Sequence, residues 1–130
     1  MKRRLAPLRV GLGMTIGLLV AQSAFGATTR AQKRSAKLIE QAQRLYLKGN
    51  YRDAARAWKR ANRLKPDPRL VYNVARAYEK EGDLNSSWEH YRTYVTNPDA
   101  EPALLKKAME ALAKLGPAIA EREARAAEAK

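Results

Sequence analysis

LIEQAQRLYLKGNYRDAARAWKRANRLK at residues 38–65 and VYNVARAYEKEGDLNSSWEHYRTYVTNP at residues 71–98 align with each other without a gap. Ala42 matches Ala75, Gly49 matches Gly82, Tyr51 matches Leu84, Trp58 matches Tyr91 and Ala61 matches Tyr94, all at one offset of 33 positions. An internal period of this length is the mark of a stacked supersecondary unit. Inside each copy the apolar residues recur at helical spacing with no strand-like alternation. Leu38, Ala42 and Leu45 make one stripe, and Tyr51, Ala54, Trp58, Ala61 and Leu64 its partner. In the second copy Val71, Val74, Ala75 and Tyr78 face Leu84, Trp88, Tyr91 and Val95.

Punctuation agrees with the stripes. Lys48-Gly49-Asn50 and Glu81-Gly82-Asp83 are polar turns whose glycine can take the left-handed conformation that ends a helix. Pro66 and Pro68 stop the second helix and Pro98 the fourth, because proline cannot continue the backbone ladder. The first helix is expected to start near Thr29, with its hydroxyl capping and Gln32 reaching back. A fifth is expected from Pro102, burying Leu104, Leu105, Ala108, Leu112 and Leu115 and ending at Gly116-Pro117. Beyond it Ala118 to Lys130 reads as a charged, alanine-rich tail. The expected architecture is all-α: tandem antiparallel helical hairpins with a C-terminal capping helix.

These residues resemble the tetratricopeptide repeat, whose pattern W-x-x-L-G-x-x-Y, A-x-x-x-F and a closing proline spans about 34 residues. The likeness covers Ser35 to Pro98. The second repeat fits the first helix of the pattern with Val71, Val74, Ala75, Tyr78 and Gly82-Asp83; the first repeat fits its second helix with Gly49-Asn50-Tyr51, Ala54, Trp58, Ala61 and Pro66. Gln41 and Leu45 replace the expected leucine and tyrosine, Ser87 replaces an alanine, and Tyr94 is large where a small residue is usual. Tyr72 to Glu79 with Tyr91 to Val95 looks especially like exported bacterial proteins of this type. The resemblance implies an α-solenoid of two repeats, 35–67 and 68–98, with 99–116 as capping helix and 117–130 as tail. Two repeats are fewer than a stack usually needs, so that helix is expected to cap the second hairpin.

The chain's start fits an exported protein. Lys2, Arg3, Arg4 and Arg9 precede an apolar run from Val10 to Val20 and the small residues Ala24 and Gly26, the layout of a secretory signal peptide over 1–26. The run is shorter than the roughly 20 residues a spanning helix needs, which favours a periplasmic or secreted product over one anchored in the inner membrane. Residues 27–34 form a basic lead-in. Cleavage would remove four of the 26 basic residues and none of the 13 acidic ones, so the product stays strongly basic. In the periplasm that charge meets no chromosome, and no nucleic-acid partner is expected.

Catalytic chemistry has little to work with. No cysteine is present, which excludes disulfides, thiolate nucleophiles and sulfur-ligated metals. His90 is the single histidine, and Ser86 one turn before it reads as a coincidence of helix surface. Glu79, Glu81 and Asp83 read as a solvated helix end. No enzyme activity, metal or cofactor is expected. The resemblance assigns a concave groove to the first helix of each hairpin: Gln43, Tyr46 and Leu47 from one repeat, Arg69, Tyr72, Asn73, Arg76 and Lys80 from the other. Arginine and lysine beside tyrosine suit an acidic, extended peptide of another envelope protein, since a guanidinium grips a carboxylate at two points. Ile39 stands at one position of the family's chaperone-tail clamp, so that partner is not expected. The competing expectation is weak electrostatic contact with anionic lipid or cell-wall polymer through Arg30, Lys33, Arg34 and Lys37.

Overall fold

The computed structural model describes the backbone from residue 16 and side chains from residue 29, up to Lys130. The chain divides into residues 1–30 and 31–130; the packing below concerns the second unit. The signal-peptide reading of 1–26 falls on residues outside those described with side chains. The described residues form five helices: α1 Ile16–Leu47, α2 Tyr51–Leu64, α3 Pro68–Glu81, α4 Leu84–Val95 and α5 Pro102–Glu128. The described residues contain no strand, and none of their helices is long and apolar enough to cross a membrane.

The turns are specified by single residues. Gly49 and Gly82 take φ of +81° and +87°. At the end of α3 the Asp83 N–H donates to the Tyr78 carbonyl and the Gly82 N–H to that of Glu79; at the end of α1 Asn50 and Gly49 repeat this with Leu45 and Tyr46. These paired bonds satisfy carbonyls that a helix end leaves open. Asp83 then caps α4, its carboxylate accepting from the Ser86 N–H at 3.1 Å. Asp67 caps α3 in the same manner, accepting from the Arg69 N–H at 2.9 Å, with Pro68 in the first helical position.

Two buried serines join helices within the hairpins. Ser35 Oγ donates to the Ala61 carbonyl at 3.1 Å and Ser87 Oγ to the Ala75 carbonyl at 2.9 Å. Ser35 meets the end of α2 while Tyr46 meets Tyr51 at its start, so α1 and α2 run antiparallel. Ala42, Ala54, Ala55, Ala57 and Ala61 are buried together and allow close backbone approach, and Trp58, Leu70 and Val74 fill the space between them. A second cluster joins α3, α4 and α5 through Tyr72, Ala75, Tyr91, Tyr94, Ala108 and Leu115. Ser87, unusual where the repeat pattern has alanine, thus supplies an interhelical bond. Tyr94 is accommodated because its ring reaches the start of α5, where its oxygen accepts from the Glu101 N–H at 2.9 Å.

The structure differs from the sequence reading at two helix ends. α1 is already helical from Ile16, so Thr29 lies inside it and not at its start; Leu18, Leu19, Ala21 and Ala24 ahead of it are good helix formers. α5 does not end at Gly116-Pro117 but continues to Glu128 with Pro117 inside. An interior proline costs about 3 kcal/mol, and contacts on both sides of it oppose that cost. Leu115 is buried, Ile119 packs on the same cluster, and Arg122 Nη1 donates to the Gly82 carbonyl at 2.8 Å.

Candidate functional site

The last turn of α1 and the middle of α3 lie side by side, and Tyr46 is the residue that joins them. Its ring lies 5.1 Å from that of Tyr51 and 5.6 Å from that of Trp58. Across from it, the Arg76 guanidinium stands 5.3 Å over the Tyr46 ring, and Arg76 Nη2 donates to the Tyr46 hydroxyl at 3.3 Å. Cation and ring hold each other in place here. Gln43, Leu47, Trp58 and Asn73 complete an open hollow of about 400 Å³ around this pair. Leu47 is 85% exposed, a large apolar side chain left to solvent at the rim. Trp58 is buried, and its indole N–H has no partner among the described residues.

Tyr46 and Arg76 also bound a second hollow, of about 500 Å³, between α3 and α5. Tyr72 and Lys80 line it from α3, and Lys107, Glu110 and Lys114 from α5. Tyr91 lies on its inner side, donating to Glu79 Oε2 at 2.8 Å. Burial, reinforced by that bond, pushes the Tyr91 phenol far above its ordinary range, and burial raises Tyr72 as well. Both phenols are therefore neutral at any physiological pH, and the mobile charge of the hollow belongs to the arginine, lysine and glutamate around them.

Of the residues expected in the groove, Gln43, Tyr46, Tyr72, Asn73, Arg76 and Lys80 all line one hollow or the other, and Arg76 with Tyr46 lines both. Arg69 lines neither. Its Nε and Nη2 grip the two oxygens of Asp67, the shortest contact being 2.7 Å, so it supports the cap of α3. Trp58, Lys107 and Lys114 are additions. Trp58 was legible only as core, and α5 only as a cap. Lys107 and Lys114, seven residues apart with Glu110 between, share one face of that helix, and this spacing was the available signal.

The other polar groups weighed in the sequence have definite partners. Ser86 Oγ donates to Asp83 Oδ2 at 2.8 Å, and the His90 Nδ1–H donates to the Ser86 carbonyl at 2.7 Å, so hydroxyl and imidazole are not aimed at each other. Glu81 pairs with Arg52 at 3.4 Å. Among the described residues no group of three or more histidine, cysteine or acidic side chains could hold a metal ion. Comparison of the chain with family models, with curated proteins and with solved structures returns no match, so the site is read from its own geometry.

Proposed function

We propose that the chain is a non-enzymatic, exported module of tetratricopeptide type that holds an acidic, extended segment of another envelope protein along the hollows beside α3. The observation that carries this is the Arg76–Tyr46 pair standing where the two hollows meet. A guanidinium shelved on a ring offers a ligand carboxylate a fixed, charged fork. The exposed Leu47 beside it offers apolar area, and Asn73 an amide suited to a peptide backbone. Lys80, Lys107 and Lys114 extend positive charge toward α5, which suits a ligand with more than one acidic side chain.

Arrayed acidic, neutral and basic peptides probed with the purified chain test the reading. Acidic peptides are expected to be retained. Arg76→Glu should weaken that retention by about tenfold or more, the scale of one charge-assisted hydrogen bond. Retention without regard to peptide charge, or unchanged in Arg76→Glu, overturns it. The exposure of Arg30, Lys33, Arg34 and Lys37 favours a second reading, attachment to anionic lipid or cell-wall polymer. Such attachment should vanish at high salt and persist in Tyr46→Ala.

A further inference from the structure

At about 100° per residue, Val71 and Val74 lie across α3 from Asn73 and Arg76. There they floor a separate hollow of about 270 Å³. One wall is Lys59, Asn62 and Arg63 of α2; the other is His90 and Thr93 of α4. No acidic residue lines it.

The polar walls are arranged so that hydrogen-bonding groups remain available. The Asn62 Oδ1 accepts from the Asp67 N–H at 2.8 Å, which fixes the amide and leaves its NH₂ end free for a ligand. His90 spends Nδ1–H on the Ser86 carbonyl and rests its ring 5.3 Å from that of Tyr78, which leaves Nε2 for an outside partner, as an acceptor in the neutral ring and as a donor in the imidazolium. Arg44, Arg52, Arg56, Arg69 and Arg125 each find a carboxylate, whereas Lys59 and Arg63 form no ion pair among the described residues. Two uncompensated cations on one helix face repel each other, and an anion between them relieves that repulsion.

We propose that this hollow is a binding site for a phosphate-bearing group. Its donors are the α2 side chains and, on α4, the Nε2–H of the His90 imidazolium, so an anion must present oxygens to both walls. A tetrahedral phosphate does so, while a planar carboxylate serves one wall well. Arg63 and Lys59 supply charge, the Asn62 amide and the Nε2–H of the His90 imidazolium supply directed contacts, and the valine floor takes the carbon skeleton attached to the phosphate. The site shares no residue with the Tyr46–Arg76 hollows and stands or falls apart from them. The phosphate can come from a lipid headgroup or from a soluble ester, and the two sources are separable by experiment.

Because the chain has one histidine, its imidazole proton resonances report on His90 alone. Inorganic phosphate titrated at fixed pH, with ionic strength held by sodium chloride, should move them saturably, and chloride alone should not. Asn62→Asp keeps the oxygen that accepts from Asp67 but replaces the free donor with negative charge. It and Arg63→Ala should each weaken the response by at least about tenfold, with the helical spectrum unchanged, while Arg76→Glu leaves the response intact. A response linear in phosphate, or equal in the native chain, Asn62→Asp and Arg63→Ala, overturns the proposal. Co-sedimentation with phosphatidylglycerol vesicles but not phosphatidylcholine, lost in Asn62→Asp, assigns the phosphate to a lipid headgroup. A saturable phosphate response without co-sedimentation assigns it to a soluble ester.

Discussion

Gly82 adopts φ of +87° with open space where a Cβ would sit, so its requirement is conformational and has nothing to do with crowding. Gly82→Ala should therefore destabilise the fold by about 1–2 kcal/mol, the cost of a left-handed non-glycine residue, measurable by urea unfolding. An equal melting curve would mean that the turn relaxes. At the other end of α3, the side-chain bonds from Arg69 hold the Asp67 carboxyl below its usual range, against a smaller opposing effect of burial. A group whose folded-state pKa is depressed gives stability that is present above its unfolded pKa and lost as pH falls through the folded one. The share owed to Asp67 should therefore fade as pH drops below about 4. Asp67→Asn, which can still cap α3, should flatten that part of the pH–stability profile measured by thermal melting.

At the scale of the element, α5 shows local preference overruled by packing. Pro117 removes one backbone donor and crowds the carbonyl four residues earlier, yet the helix passes through it to Glu128. If contacts on either side hold it straight against that cost, Pro117→Ala should raise stability by about 1–3 kcal/mol with helical content unchanged by circular dichroism. A fall in melting temperature would show instead that the proline shapes the contact between Arg122 and Gly82. α2 shows the opposite case, in which local signals agree. Its alanines and Trp58 all face inward, its arginines and lysines all face out, and Pro66 follows its end.

At the scale of the molecule, the two clusters depend on each other unequally. Tyr72, Tyr91 and Tyr94 are covered partly by α5. A chain ended after Pro98 would expose this aromatic group and lose the Glu101 N–H that bonds to Tyr94. It should unfold without a sharp transition and bind a hydrophobic dye, while the chain through Lys130 melts cooperatively and binds little. Sharp melting of the shortened chain would mean that α5 is a passenger. The same truncation removes Lys107 and Lys114, so stability and groove charge are coupled through one helix.

The sequence by itself determined the all-α class, the positions of α2, α3 and α4, both glycine turns and the stripes that face inward, because each rests on local signals: helical periodicity, left-handed glycine and proline stops. The expectation that Tyr46, Asn73 and Arg76 share a groove came from the resemblance to a repeat family, which assigns that surface to the first helix of each hairpin. Tertiary structure decided what local signals cannot express. It carried α5 past Pro117, found room for Tyr94 against Glu101, and set Lys59, Asn62, Arg63 and His90 around one hollow. In each case the deciding energy comes from a neighbour distant in sequence or from competition between partners, and neither is written in the spacing of residues along one helix.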